Sequence, residues 1–430
     1  MSGVQPRPGV SSAPYSVPRA GAPVDLALDA NEGAVPDLDW LARVTRDDLR
    51  RYPTPGVLEA ELAAEHGVAP AQVIVTSGAD DALDRACRAV LGPEHEAILP
   101  VPGFSVMSRW IGLTGARQVS VPWPEGPYPT DAVIAAIKPC TGMIIVTSPN
   151  NPTGGVATAE DVERLAAAAP HALILVDLAY VEFADEDLTA ASLRHDNALV
   201  TRTMSKAWGL AGLRVGYALG PERIVGWLRT AGLPYAVSGP SLAMAAAARR
   251  NPQLLADFVA RVRSERPRLM AALREAGARP QDSEANFVLA RVDDPLWWRD
   301  GLAGLGIGIR AFPGVDGLDD AIRIACPGDD AALRRVERAL RTLIRPERLL
   351  VEAGLEDPVG NAEIGDVSAM LQASDAPAWV LVRSVEAVRA ARQAAALPIA
   401  VGDDGLVAEG AARCLQDPSD LVSLWPRGGA

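Results

Sequence analysis

Lysine is almost missing from this chain. Of 41 basic residues in 430, only Lys138 and Lys206 are lysines, so arginine carries the ordinary surface charge. A lysine kept under those conditions is a candidate for work that needs a primary amine. Cysteine is thin as well. Cys87, Cys140, Cys326 and Cys414 stand far apart with no CxxC pair, which speaks against a disulfide framework or a zinc site and fits a reducing, cytoplasmic setting. The histidines, His66, His95, His171 and His195, show no metal-ligand spacing, so no metal is expected. A basic face is lacking: the net charge of −13 argues against nucleic acid as the main partner. No apolar run reaches the ~18 residues of a membrane span. The N-terminus lacks the charged-then-apolar pattern of a signal peptide. What is present is ordinary globular composition, 49% hydrophobic and 22% charged, on a chain long enough for roughly two to three domains.

Residues 1 to about 23 are rich in Pro, Ser and Gly and read as a flexible N-terminal arm. Short apolar runs then alternate with helical stretches as far as about residue 345. The runs include Val73–Thr76, Ala97–Pro100, Met143–Thr147 and Ala172–Val176, and 159–169 has helical spacing. Continuous β-branched runs suit strands buried on both faces, so the alternation predicts an α/β fold with a mainly parallel sheet. The amphipathic stretch 252–276 predicts a long helix leading from a large domain, about 45–250, to a smaller α+β domain built from 24–44 and about 251–345. Strands at 286–290 and 321–325 and a last helix over 329–344 belong to that smaller domain. Residues 346–430 read as an accessory α/β module. It has a strand at Val380–Val382, a helix over 385–396, a strand at Pro398–Val401 and a short helix after Asp403.

Lys206 lies in Thr203-Met204-Ser205-Lys206-Ala207-Trp208-Gly209, and Arg214-Val215-Gly216 follows shortly. Two hydroxyls, an amine and a guanidinium are gathered among glycines. The amine suits a carbonyl, the hydroxyls and guanidinium suit a phosphate, and glycine lets backbone approach closely. Taken alone, the segment reads more readily as a surface lysine before a Gly-rich turn. Asp177 ends the apolar run 172–176, and Tyr180 follows it. A carboxylate at the carboxyl end of a parallel strand points into the crevice where such folds bind ligands; loop and cap residues also stand there. Ser148-Pro149-Asn150-Asn151-Pro152-Thr153-Gly154 is a turn cluster that offers the Asn151 amide. Thr76-Ser77-Gly78-Ala79-Asp80 joins a strand to a helix and presents backbone N–H groups to an anion, or simply caps the helix. Together these residues match the needs of pyridoxal 5′-phosphate: an amine for its aldehyde, donors for its phosphate and a carboxylate at its pyridine nitrogen.

The four motifs, in this order and spacing, resemble those of fold-type I pyridoxal-phosphate enzymes. Within that group the chain is most similar to the histidinol-phosphate aminotransferase family of class I/II aminotransferases. Asn31-Glu32, Arg51-Tyr52-Pro53, Ser148 to Gly154, Ser205 to Tyr217 and Arg323-Ile324 after Gly308-Ile309-Arg310 carry the likeness, over about 25–345. The resemblance implies a large domain with a mainly parallel, seven-stranded sheet and a smaller α+β domain. It implies Lys206 as the Schiff-base lysine and proton shuttle, Asp177 at the pyridine nitrogen, and Asn151 and Tyr180 at the phenolic oxygen. Gly78, Ala79, Asp80, Ser205 and Arg214, with Thr203, would hold the phosphate. Phe104 stands where a tyrosine usually stacks on the ring. Tyr52 would reach the cofactor of a neighbouring subunit, which implies a homodimer with shared active sites. Arg323 and Asn31 would meet the substrate, Arg323 as a bidentate clamp on its α-carboxylate, with Arg310 the next candidate. Two stretches depart from the family pattern: Asp177-Leu178-Ala179-Tyr180 replaces Asp-Glu-Ala-Tyr, and Asn31-Glu32-Gly33-Ala34 replaces Asn-Glu-Asn-Pro.

Val380 to Leu421 is similar to the end of haloacid-dehalogenase-type phosphatases, without their Asp-x-Asp nucleophile and with Arg383 where acidic metal ligands are expected; it reads as a packing or interaction module. The expected activity is transamination between an amino acid, or an amino-alcohol phosphate, and a keto acid. A pyridoxal-phosphate lyase, decarboxylase or cyclase, and a non-catalytic binding protein on the same fold, remain as alternatives.

Overall fold

The computed structural model describes residues 10, 18–33 and 38–425, so most of the expected N-terminal arm, and Ala34, lie outside the described residues. The chain divides into two compact units. One comprises chiefly Glu32–Arg263 with Gln281–Asn286; the other gathers the described parts of Ser16–Asn31, Ser264–Pro280 and Phe287–Ala430. The division falls inside the long helix Pro252–Glu275, at Arg263. Residues after 345 share a unit with the strands at 287–291 and 321–325.

The first unit is built on a seven-stranded sheet. In spatial order its strands are Val73–Thr76, Gly216–Leu219, Ala198–Thr203, Leu173–Asp177, Thr141–Thr147, Glu96–Val101 and Arg117–Pro122. Gly216–Leu219 runs antiparallel to both neighbours, and the other pairings are parallel. Alternate residues feed two apolar cores. Val73, Ile144, Val146, Ile174, Val176 and Val200 face one; Ile74, Met143, Ile145, Leu173, Leu175 and Leu199 face the other. Burial on both sides explains why these strands are unbroken apolar runs rather than alternating ones. Register then decides what meets at the edge. Thr147, Asp177 and Thr201 are mutual neighbours across three strands. Thr203 and Thr76 both pair with Gly216, which brings the glycine turn at 77–78 beside the exit to Lys206.

The second unit holds three sheets. A four-stranded antiparallel sheet runs in the order Arg310–Ala311, Ala321–Ala325, Phe287–Arg291, Arg279–Pro280. Leu26–Ala27 pairs in parallel with Ile307–Gly308. A five-stranded parallel sheet follows: Glu363–Gly365, Arg348–Glu352, Ala378–Val382, Leu397–Val401, Cys414–Leu415. The sequence reading begins this last sheet at Val380 and places nothing at its first two strands, although Leu349-Leu350-Val351 is an apolar run. Trp379 sits at its heart, fully buried. Its ring meets those of Trp297 and Trp425 edge-on at 5.3 Å each, and its indole N–H donates to the Thr342 carbonyl at 2.7 Å. Among the described residues no helix is long and apolar enough to cross a membrane.

Candidate active site

The carboxyl edge of the seven-stranded sheet gathers most of the residues singled out from sequence. Asp177 is the last residue of its strand and is buried. Its carboxylate accepts a hydrogen bond from the Thr201 hydroxyl at 3.1 Å. Burial pushes its pKa up to about 7; the Thr201 hydroxyl opposes that rise, and Lys206 does so more weakly. Three residues on, the Tyr180 hydroxyl lies 3.4 Å from the Asn151 amide nitrogen. The turn that presents Asn151 is held by its own polar groups. Asn150 exchanges backbone bonds with Gly154 and Gly155 at 2.7 Å, and its side chain donates to Thr153 and to the Pro102 carbonyl at 2.9 Å. The last of these ties the segment leading to Phe104, whose ring meets Trp110 edge-on at 6.0 Å.

Lys206 follows the strand Ala198–Thr203, half-buried, with its amine 5.6 Å from the centre of the Tyr180 ring. The peptide of Gly33 passes directly over it. A Cβ at position 33 would collide with the Lys206 carbonyl, so the departure from the family's asparagine there has a steric meaning. The other lysine, Lys138, is exposed and paired with Glu96 at 3.5 Å.

Polar side chains on both sides of Lys206 in the sequence meet one another. The Thr203 hydroxyl donates to Ser205 Oγ at 2.9 Å, and Arg214 donates to the same oxygen at 3.2 Å. Arg214 is in the left-handed region, φ 53°, which turns its guanidinium back toward the helix Gly78–Val90. There it meets the Asp80 carboxylate at 3.1 Å. Gly78 has φ 76°, and a Cβ on it would lie 2.7 Å from the Arg214 guanidinium; a Cβ on Gly216 would strike the Gly78 and Ala79 backbone. Only glycine leaves the first turn of that helix open to an anion.

Three further residues singled out from sequence have the following surroundings. Tyr52 is 77% exposed and stacks on Tyr235 at 4.5 Å. Arg323 and Asn31 belong to the second unit. Arg323 is buried near the rings of Phe287 and Phe312 and donates to the Asp29 carbonyl at 2.7 Å. Arg310 stands directly opposite Arg323 in the antiparallel ladder. Asn31 is buried, with φ 54°.

Two residues of consequence went unnoticed in the sequence. Thr201 holds Asp177, and Arg202 points to the opposite face of the same strand. There the buried Arg202 guanidinium bonds Glu182 at 3.1 Å, Asp187 at 3.0 Å and Thr189 at 3.2 Å, fastening the segment after Tyr180. No local pattern marks Thr201, which stands two residues before the end of its strand and meets Asp177 only through the register of the parallel pair.

The class I and II aminotransferase family model matches residues 27–340. The chain belongs to that family. It is a pyridoxal-phosphate-dependent aminotransferase. The histidinol-phosphate aminotransferase of Ruegeria pomeroyi is 34% identical over 364 residues, covering 79% of this chain and 98% of that protein. The enzyme of the same name from Paracoccus denitrificans is 35% identical over 303 residues, covering 68% and 81%. Among solved structures, the Sinorhizobium meliloti histidinol-phosphate aminotransferase in complex with pyridoxal-5′-phosphate aligns with TM-score 0.66 and 25% identity over 75% of this chain and 92% of that one. These relatives favour transamination over the lyase and binding-protein readings. The aminotransferase's own residues fit the cofactor: a buried carboxylate with its pKa pushed up to about 7, a helix start without a side-chain cap and kept open by glycine, and hydroxyl and guanidinium donors that flank one lysine in the sequence. The family match ends at 340, short of the five-stranded sheet.

Proposed function

We propose that this aminotransferase exchanges the amine of histidinol phosphate, or of a closely similar phosphorylated amino alcohol, with a keto acid. The reading rests on the donors that converge on Lys206 at one sheet edge and on the names of the relatives. When bound, the cofactor supplies the electron sink that acidifies the substrate Cα. Asp177 would face the ring nitrogen and keep it protonated, and a cation there would offset the burial that otherwise raises the pKa of Asp177. Asn151 and Tyr180 would donate to the phenolic oxygen, and Phe104 would be the residue to stack on the ring. The backbone N–H groups of Gly78, Ala79 and Asp80, the Ser205 hydroxyl and Arg214 would hold the phosphate, with Thr203 orienting Ser205. Asp80 contributes through its backbone, because its carboxylate is engaged with Arg214. The Lys206 amine takes the proton from the substrate Cα.

Arg323 and Asn31 receive the acidic end of the substrate. Arg310 and Arg323 are Cα partners in the antiparallel ladder, and arginine suits a bidentate grip on an anionic group. Tyr52 belongs to a neighbour's site in a homodimer: Leu49, Tyr52, Val57, Leu233 and Tyr235 are all exposed, and apolar exposure of this kind marks interfaces. Four free cysteines fit a reducing, cytoplasmic setting.

A half-reaction screen tests this reading. Holoenzyme is mixed with single amines while the visible cofactor band is followed. Histidinol phosphate should discharge the band faster than unphosphorylated amino acids, and a keto acid should restore it. A band indifferent to histidinol phosphate but discharged by another amine would overturn the substrate assignment.

A further inference from the structure

The carboxyl edge of the five-stranded sheet, where open parallel sheets bind ligands, is closed by its own side chains. Glu352 accepts from the backbone N–H groups of Arg383 and Ser384 at 2.6 and 3.2 Å, and the Arg383 guanidinium donates to the Ala353 and Gly354 carbonyls at 3.2 and 3.3 Å. One residue of the module, Arg392, reaches out to the rest of its unit. Arg392 donates to the Ala303 and Gly304 carbonyls, both at 3.1 Å, at the end of the helix Pro295–Gly304. It also donates to Gly410 of its own module at 3.2 Å and to the Pro23 carbonyl at 2.9 Å. Val407 packs against Gly21 so closely that a Cβ there would lie 2.8 Å from its methyl group, and Ala412 crowds Gly304 in the same way.

The segment gripped at Gly21 and Pro23 runs on to Asn31. Asp25 forms two bonds with Arg335, at 2.6 and 2.8 Å. Leu26–Ala27 pairs with Ile307–Gly308, Leu28 accepts from Ala325, and Asp29 accepts from Arg323. A two-residue strand near a chain end frays unless it is tied down on its open side. The module supplies that tie.

We propose that the C-terminal module is a brace for residues 21–31, with Arg392 as a positioning residue for Asn31 and Arg323. The proposal rests on the reading of Arg323 and Asn31 as substrate residues. It gives residues beyond the family match a part in substrate recognition rather than a separate chemistry.

The test uses the full-length holoenzyme and the variants Arg392→Gln and Arg323→Lys. Arg392→Gln should raise the KM for the donor amine about fivefold, the scale of a positioning effect. It should leave kcat and the affinity for pyridoxal phosphate unchanged and speed amide exchange across 26–31. A residue that only stabilised the fold would lower Tm without separating KM from kcat. Arg323→Lys should raise KM more. If Arg323→Lys raises KM but Arg392→Gln changes neither KM nor exchange, the brace is overturned. If Arg323→Lys leaves KM untouched, the substrate reading falls, and with it the proposed purpose of the brace. Val407→Ala, a milder change, should move the same readouts in the same direction if Arg392→Gln does not fold.

Discussion

The two largest parallel arrangements in this chain meet the same opportunity at their carboxyl edges and use it in opposite ways. In the five-stranded sheet, Glu352 is satisfied by two backbone N–H groups and Arg383 by two backbone carbonyls. In the seven-stranded sheet, Asp177 is buried with the Thr201 hydroxyl and a backbone N–H for company, at the cost of a pKa near 7. A carboxylate whose needs are met inside the protein has little left to offer a ligand. One held at a disadvantage gains when a cation arrives. The difference between a packing edge and a reactive edge thus lies in what the side chains still lack, since the strand geometry is shared.

The sharpest way to break that contrast is Lys206→Ala. Turnover should fall by about 10⁴-fold or more, as for loss of a group that both binds and moves the proton, and the visible band should be lost once bound amine is removed. Retained turnover would mean that the reactive edge is elsewhere. Asp177→Asn comes next, with kcat lowered about 10²- to 10³-fold, the scale of a lost electrostatic partner. It also carries a pH signature. In cofactor-free protein the folded pKa of about 7 lies above the ordinary value of 3.8. Asp177 therefore weakens the fold progressively as pH rises from 3.8 to about 7, and the penalty stays in full above that. Thermal melts of the two cofactor-free proteins should diverge in favour of the variant across that range. Thr201→Val keeps shape and removes one bond to a charged group, worth about 1.5–3 kcal/mol, so kcat should drop by about an order of magnitude. The pH midpoint of the visible band should shift, and Thr201→Ser should restore both. The smallest effect is expected from Glu352→Gln: a loss of about 1 kcal/mol in stability with kcat/KM unchanged. A drop in turnover matching that of Thr201→Val would erase the distinction between the two edges.

The seven-stranded sheet and its motifs were legible because each buried strand is an unbroken apolar run that ends in a polar residue. Val146-Thr147-Ser148 and Leu175-Val176-Asp177 declare both the strand and its exit. Thr201 and Arg202 were not legible, since their importance comes from register: one residue faces Asp177 and the other the segment behind Tyr180, and no local pattern states which strands are neighbours. In the C-terminal region the strand Glu363–Gly365 carries no apolar run because it is three residues long and largely exposed, whereas Arg348–Glu352 does carry one, Leu349-Leu350-Val351, and was legible but not read. The grip of Arg392 on Pro23 joins positions 369 residues apart and is invisible to any reading along the chain.

The near-absence of lysine has a practical side. Protein made with lysine labelled with nitrogen-15 at Nζ would carry only two labelled positions, Lys138 and Lys206. Lys138 is exposed and salt-bridged, whereas Lys206 is half-buried beneath the Gly33 peptide, so the two nuclei sit in unlike fields and should resonate apart. A magnetic-resonance titration of the wild-type protein would then follow the Lys206 amine by name, with the second lysine as an internal standard.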